Sequence, residues 1–504
     1  MVKYDCERRP AMTASSLRSL CALAIAICIS LLLAGSGVAE EGETGTEDRP
    51  GSSPTGKAPT GLIDAWVASL DVVDSAALLF AARETTGDVI SPAAGSAGDY
   101  VVLAWNDLGM HCYNRDFQDL AVLPPYNNLW AQVIRRGDPP ERVTAGLTVS
   151  YAFQNNTYSV GKSNFWDYDV PLFGVDLAPN VGLRGKGLAG VMDAKVDHFV
   201  AEGIPLTEFF DSDWSTPYPY QLATIIVRST SSGAELARTE TVGPVSTEMH
   251  CDNCHYDGGV EGISTGRVET NILTLHDGED DDAALSGVGA ASLMPLRPVL
   301  CADCHASNAL EKPGQAGVPS LSNAMHEKHA GKVPDTTEGC YNCHPGPTTQ
   351  CLRDVMSHEF DMGCVDCHGG MEQVAKNANP WLSEPRCDTC HDSGEYDQNA
   401  ALYRMSTGHG GVYCAGCHDS PHAIAPSTQP NDAIKFIALQ GHDGPIDTCT
   451  VCHLTQPANA GPHGTVAGTE PTPSPSPSPE PTLTPVPTSN PGTLNEKLYV
   501  PMLH

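Results

Sequence analysis

The sequence predicts a mixed architecture: an aromatic-rich, β-sandwich-like region, followed by loops and short helices with little regular secondary structure. Three observations point there. Nineteen of the chain's 31 aromatic residues fall between 95 and 246, together with a single cysteine. From 247 to 465 the aromatics drop to eight in 219 residues while cysteine and histidine climb. Neither a helical nor a strand period persists in that second stretch. A segment so poor in large apolar side chains cannot build an ordinary core, so something else must fill it.

Taken in order, residues 1–39 read as a secretory signal peptide. Arg8, Arg9 and Arg18 form a basic start, Leu20 to Ala34 is an apolar run, and Gly37-Val38-Ala39 supplies small residues for cleavage. No other run reaches the ~18 apolar residues of a spanning helix, so no transmembrane anchor is expected after cleavage. The mature chain is expected in an oxidising place: the periplasm, the cell surface or the extracellular space. Residues 40–94 are rich in Gly, Thr, Ser, Pro and Glu, a disordered lead-in with a short helix expected from Gly61 to Arg83.

Within 95–246, Tyr100–Trp105 and Leu147–Phe153 read as strands with larger apolar side chains at every second position. Leu222–Val227, a turn at Ser231-Ser232-Gly233, and Glu235–Val245 read as a hairpin. Residues 466–504 form a stiff Pro/Ser/Thr spacer, with nine prolines between Pro471 and Pro491, and end in the short apolar tag Lys497–His504. The acidic run Asp277–Asp282 lacks the spacing of a calcium loop and reads as a solvated turn.

The Cys/His-rich stretch carries Cys-x-x-Cys-His seven times. The copies are Cys251-Asp-Asn-Cys254-His255, Cys301-Ala-Asp-Cys304-His305, Cys340-Tyr-Asn-Cys343-His344, Cys364-Val-Asp-Cys367-His368, Cys387-Asp-Thr-Cys390-His391, Cys414-Ala-Gly-Cys417-His418 and Cys449-Thr-Val-Cys452-His453. This is the attachment pattern of c-type haem: two thiols add to the porphyrin's vinyl groups and the next histidine ligates iron. Zinc knuckles pair two C-x-x-C units around one ion, which leaves one of seven unpaired and does not require His after every second Cys. On these motifs, residues 247–465 resemble a multihaem c-type cytochrome. The resemblance implies seven covalently attached haem c groups, iron that changes oxidation state, and electron transfer along a chain of haems. Successive motifs start 50, 39, 24, 23, 27 and 35 residues apart, too uneven for a simple tandem repeat.

The second axial ligand separates carrier from catalyst, because two protein ligands close the iron to substrate. Among the histidines outside the motifs, His276, His326, His329, His358, His409, His422, His442 and His463 are the distal candidates, with His250 and His111 behind them. At least eight candidates for seven irons favour bis-histidine ligation. His422 follows His418 too closely to reach the opposite face of the same iron, so it should serve a neighbour. His326 and His329 lie three apart on one helical face and can reach two sites. Outside the signal and the motifs remain Cys112 and Cys351, an even remainder that in an exported chain suggests a disulfide.

The leading function is an exported electron carrier, with a quinol-linked or other donor and another cytochrome or a terminal reductase as acceptor. The alternatives are a catalytic multihaem oxidoreductase acting on small nitrogen or sulfur oxyanions, and a subunit of a conductive cytochrome filament. The net charge of −33 argues against nucleic acid and implies redox partners with basic docking faces.

Overall fold

The computed structural model describes residues 98–262, 265–278, 292–377, 379–391, 398–400, 402–459 and 461–464. The signal peptide, the lead-in with its helix, most of the acidic run and the Pro-rich tail lie outside the described residues.

Two five-stranded sheets make the first region. One runs β1 (Tyr100–Trp105), β4 (Leu129–Arg135), β9 (Phe199–Ala201), β8 (Asp193–Ala194), with β5 (Glu141–Arg142) also on β4. The other runs β2 (His111–Cys112), β11 (Glu235–Ser246), β10 (Tyr220–Ser229), β6 (Leu147–Phe153), β7 (Ala189–Val191). The hairpin β10–β11 pairs Ile225 with Thr239 and Tyr220 with Pro244, and Gly233 takes a positive φ of 71° in its turn. Strand β6 adds antiparallel to β10 with Ile225 opposite Tyr151. Alternation along these strands sends Val149, Tyr151, Phe153, Ala223, Ile225 and Val227 inward, where they meet Val102, Ala104, Ala131 and Val133 of the first sheet in one core.

The first sheet is covered on its other face too. The larger set of β1 side chains, Val101, Leu103 and Trp105, does not enter the inter-sheet core. It joins Trp130, Ile134 and Val200 against Tyr403, Tyr413, Ala415 and Val451 of the Cys/His-rich region. A strand buried on both faces reads as a near-continuous apolar run, which is what Tyr-Val-Val-Leu-Ala-Trp is.

That second region is built of short helices and 3₁₀ turns joined by loops, the longest helices being Val268–Asp277, Leu321–His329 and Pro430–Gln440. It forms one compact unit with the sheets and is pinned to them at several places. The two-residue strand β12 (Val299–Leu300) pairs in parallel with β3 (Leu120–Ala121). Arg267 and Arg297 both reach the buried Asp119. Arg353 and Asp432, with side chains 1% and 3% exposed, form an ion pair whose guanidinium also donates to the carbonyl of Gly109. Gly109 itself has φ +85°, and a Cβ there would meet the Pro421 carbonyl oxygen at 1.9 Å, so only glycine allows this approach. Among the described residues no helix is long and apolar enough to cross a membrane.

Candidate functional site

Each motif folds as one helical turn. In five copies the histidine N–H donates to the carbonyl of the first cysteine: His255 to Cys251 (2.8 Å), His305 to Cys301 (3.0 Å), His344 to Cys340 (3.0 Å), His391 to Cys387 (2.9 Å) and His453 to Cys449 (2.9 Å). The other two are the helices Cys364–His368 and Cys414–His418. Spacing of three and four residues places both sulfurs and the imidazole on one side of the turn. In the sixth motif the two spacer residues are small because they press on the sheet. A Cβ on Gly416 would lie 3.3 Å from the Trp105 ring.

Six motif histidines each face a second histidine. The ring-centre distances are 6.2 Å for His255–His329, 6.2 Å for His305–His276, 6.2 Å for His344–His326 and 6.0 Å for His368–His422. The last two are 5.8 Å for His418–His463 and 6.1 Å for His453–His409. His326 and His329 thus leave one helix for two different motifs, and His422 serves the fourth motif although it follows the sixth. The interplanar angles range from 29° to 81°, so the pairs share a spacing and not a stacking geometry. Among the described residues no group of three or more His, Cys, Asp or Glu side chains gathers as a metal site. The histidines come in twos.

Several of these rings are held by their Nδ1. That of His326 bonds the Ser322 carbonyl at 2.7 Å, His329 that of Met325 at 2.7 Å, His305 that of Pro319 at 2.9 Å, and His255 the Asn271 side chain at 3.1 Å. An Nδ1–H given to an acceptor fixes the tautomer and leaves Nε2 with its lone pair, the arrangement in which imidazole binds metal. Burial reinforces it. Burial, then the neighbouring His326 and His368, pull His344 down to about 4, and burial with His463 and His391 does the same to His418. Burial, then His368 and Arg353, takes His422 to about 3. All three are neutral at physiological pH.

These distances also fit a haem iron. Metal–imidazole bonds are about 2 Å and the ring nitrogen lies about 1 Å from its centre, so a metal between two imidazoles sets their centres about 6 Å apart. Buried donors without a partner lie at the same seams. Nε1 of Trp105 and of Trp130 and Nε of Arg136 have none, and such groups suit the carboxylates of a porphyrin. Trp105 packs on the sixth motif, and Arg136 stands near enough to Cys452 of the seventh to oppose the rise that burial gives that thiol.

The remaining candidates lie elsewhere. His358 is bonded to the Pro426 carbonyl at 3.0 Å and lies beside Glu359. His250 contacts Glu248, and His111 contacts Asp107 and stacks on Tyr126. His442 follows the helix Pro430–Gln440, its Nδ1 on the Asp443 carbonyl at 2.8 Å and its Nε2 3.2 Å from Asp447. Cys112 and Cys351 are free thiols, not a standing disulfide.

Neighbouring motifs form a line. Cys343 is near enough to raise the Cys251 thiol, Cys340 and Cys364 share a hydrogen bond, Cys390 raises Cys367, Cys387 raises Cys414, and Cys452 raises Cys417. The second motif joins the first through the helix Val268–Asp277, which sends Asn271 to His255 and His276 to His305. These approaches connect the motifs in the succession second, first, third, fourth, fifth, sixth, seventh. Both ends abut the sheets, the second motif directly after β12 and the seventh through the bridge Gly137–His453. Sequence reasoning missed the aromatic seam of Trp105, Trp130, His198 and Tyr413, in which Trp130 and His198 stack at 4.3 Å. The continuous apolar run of β1 was the available signal.

The chain matches no protein-family model, no curated protein and no solved structure.

Proposed function

We propose that this chain is an exported multihaem c-type cytochrome that relays electrons through seven covalently bound haems to an acceptor outside the cytoplasm. The observation that carries this reading is that six motif histidines each stand opposite a second histidine, at 5.8–6.2 Å. The two cysteines of each turn would hold the porphyrin, and the paired imidazoles would ligate its iron and close it to substrate. The haem supplies a metal that gains and loses one electron. The protein supplies the order of sites and their burial.

For the fifth motif we assign the second ligand to His442, whose Nε2 would exchange Asp447 for the metal. Leu439 and Ile446, which flank it, pack in the same apolar cluster as Cys387. His358 is committed to the Pro426 carbonyl. The acidic surface calls for partners with basic faces, and association that weakens as salt rises.

The test is the intact mass of the mature protein together with its electron paramagnetic resonance spectrum. Seven haem additions and purely low-spin ferric signals are expected, unchanged by nitrite or cyanide. Fewer additions overturn the cofactor count. A high-spin component that shifts with added nitrite turns the assignment toward a catalyst.

A further inference from the structure

Cys112 and Cys351 lie on opposite sides of the seam between the sheets and the Cys/His-rich region. Cys112 ends β2, where it sits in register with Ser246 of β11. Ser246 Oγ in turn lies 3.0 Å from Thr349 Oγ1, two residues before Cys351. Tyr220 of β10 donates its hydroxyl to the Gln350 carbonyl at 3.0 Å. Arg353 donates from one nitrogen both to the Gly109 carbonyl at 3.2 Å and to the Cys351 carbonyl at 3.0 Å, tying together the loops that carry the two cysteines.

Burial pushes the Cys112 thiol up to about 11 and Cys351 to about 12, and Cys112 is near enough to add to the second shift. The Cys351 sulfur also lies 3.6 Å from Nδ1 of His422, whose ring faces His368. Two free thiols therefore converge beside one of the paired-histidine sites, on backbone held by polar contacts from both regions.

We propose that Cys112 and Cys351 are a reversible dithiol–disulfide couple that exchanges electrons with the haem chain at the His368–His422 site. On oxidation the two S–H bonds break, one S–S bond forms, two protons leave to solvent, and the two electrons reduce two ferric irons of the chain to ferrous. On reduction two electrons returned by two ferrous irons of the chain open the same bond, and both thiols take up protons from solvent. The inference rests on the cytochrome reading. In the disulfide state the couple clamps the sheets to the fourth site, and it adds two electrons to what the irons store.

The test uses the mature holoprotein, fully reduced and then titrated anaerobically with ferricyanide, with samples unfolded in denaturant containing a thiol-alkylating reagent and weighed intact. Two alkyl groups, on Cys112 and Cys351, are expected on reduced protein and none on oxidised protein. Wild type should consume two more oxidising equivalents than Cys112→Ser or Cys351→Ser. Equal consumption, or alkylation that is the same in both states, overturns the proposal. The same spectrum counts haem additions, so failure of the haem reading shows separately from failure of the thiol couple. If one variant does not fold, the other and the wild-type alkylation pattern still decide.

Discussion

Between residues 98 and 246 side chains pack on side chains: Phe153, Ile225, Tyr151 and Val149 of one sheet fill the space against Val102 and Val133 of the other. In the Cys/His-rich region the order comes from another source. Among its buried apolar groups, Tyr403, Tyr413 and Val451 face the first sheet, and its motif histidines stand in pairs. The first region carries its own core. The second borrows a wall from the first and, under the proposed function, takes the remainder of its core from the cofactor. The sheets are thus a scaffold along which the line of motifs is pinned at both ends.

The largest effect that would break this contrast is removal of the cofactor. Expressed without haem attachment, the chain should lose protease resistance first within 247–465, while the hairpin β10–β11 resists longest; limited proteolysis with mass mapping reads this. Uniform digestion of both regions would show that the sheets depend equally on haem. Next comes the first region's core. Phe153→Ala should cost about 3–5 kcal/mol in denaturant unfolding of the holoprotein while leaving the low-spin spectrum intact.

A comparable loss, about 3–5 kcal/mol, is expected of Asp432→Asn, which leaves the Arg353 guanidinium buried without its partner. Here the melting of both regions should become less cooperative, because the guanidinium that Asp432 holds in place donates to the Gly109 carbonyl of the first region. A smaller and more specific effect tests the pairing. His326→Ala and His329→Ala should each convert one, and a different, low-spin signal to high spin, whereas His358→Ala should leave all of them.

The smallest effect concerns pH. Burial tends to raise Glu248, but hydrogen bonds from Thr349 and from the backbone of Thr348 and Thr349 outweigh it and hold the carboxyl at about 2. A depressed carboxyl contributes stability above its unfolded value of about 4.3, and that contribution fades as pH falls toward 2. Glu248→Gln should flatten the acid limb of a thermal-melting profile across that window. An unchanged limb would remove Glu248 from the seam's electrostatics.

Much of the fold was readable from strings of residues because the information is local. Alternation in Leu147–Phe153 and the Ser-Ser-Gly turn after Leu222–Val227 specify strands and a hairpin through geometry that repeats every two residues. The motif turn is local as well, since its hydrogen bond closes between residues four apart. What alternation concealed in β1 was that the strand has no solvent face. There Val101, Leu103 and Trp105 meet a partner some 300 residues further along the chain. His358 and His422 look alike as single letters, yet one ends on the Pro426 carbonyl and the other opposite His368.

By itself, then, the sequence determined the two-region division, the hairpin, the seven helical turns and the set of histidines from which partners are drawn. Composition and short-range hydrogen bonding suffice for those. Tertiary structure alone decided which histidine faces which motif and the order in which the motifs succeed one another. Each of these joins residues tens to hundreds of positions apart, and a pairing over such a distance depends on where intervening elements pack. No local pattern encodes that.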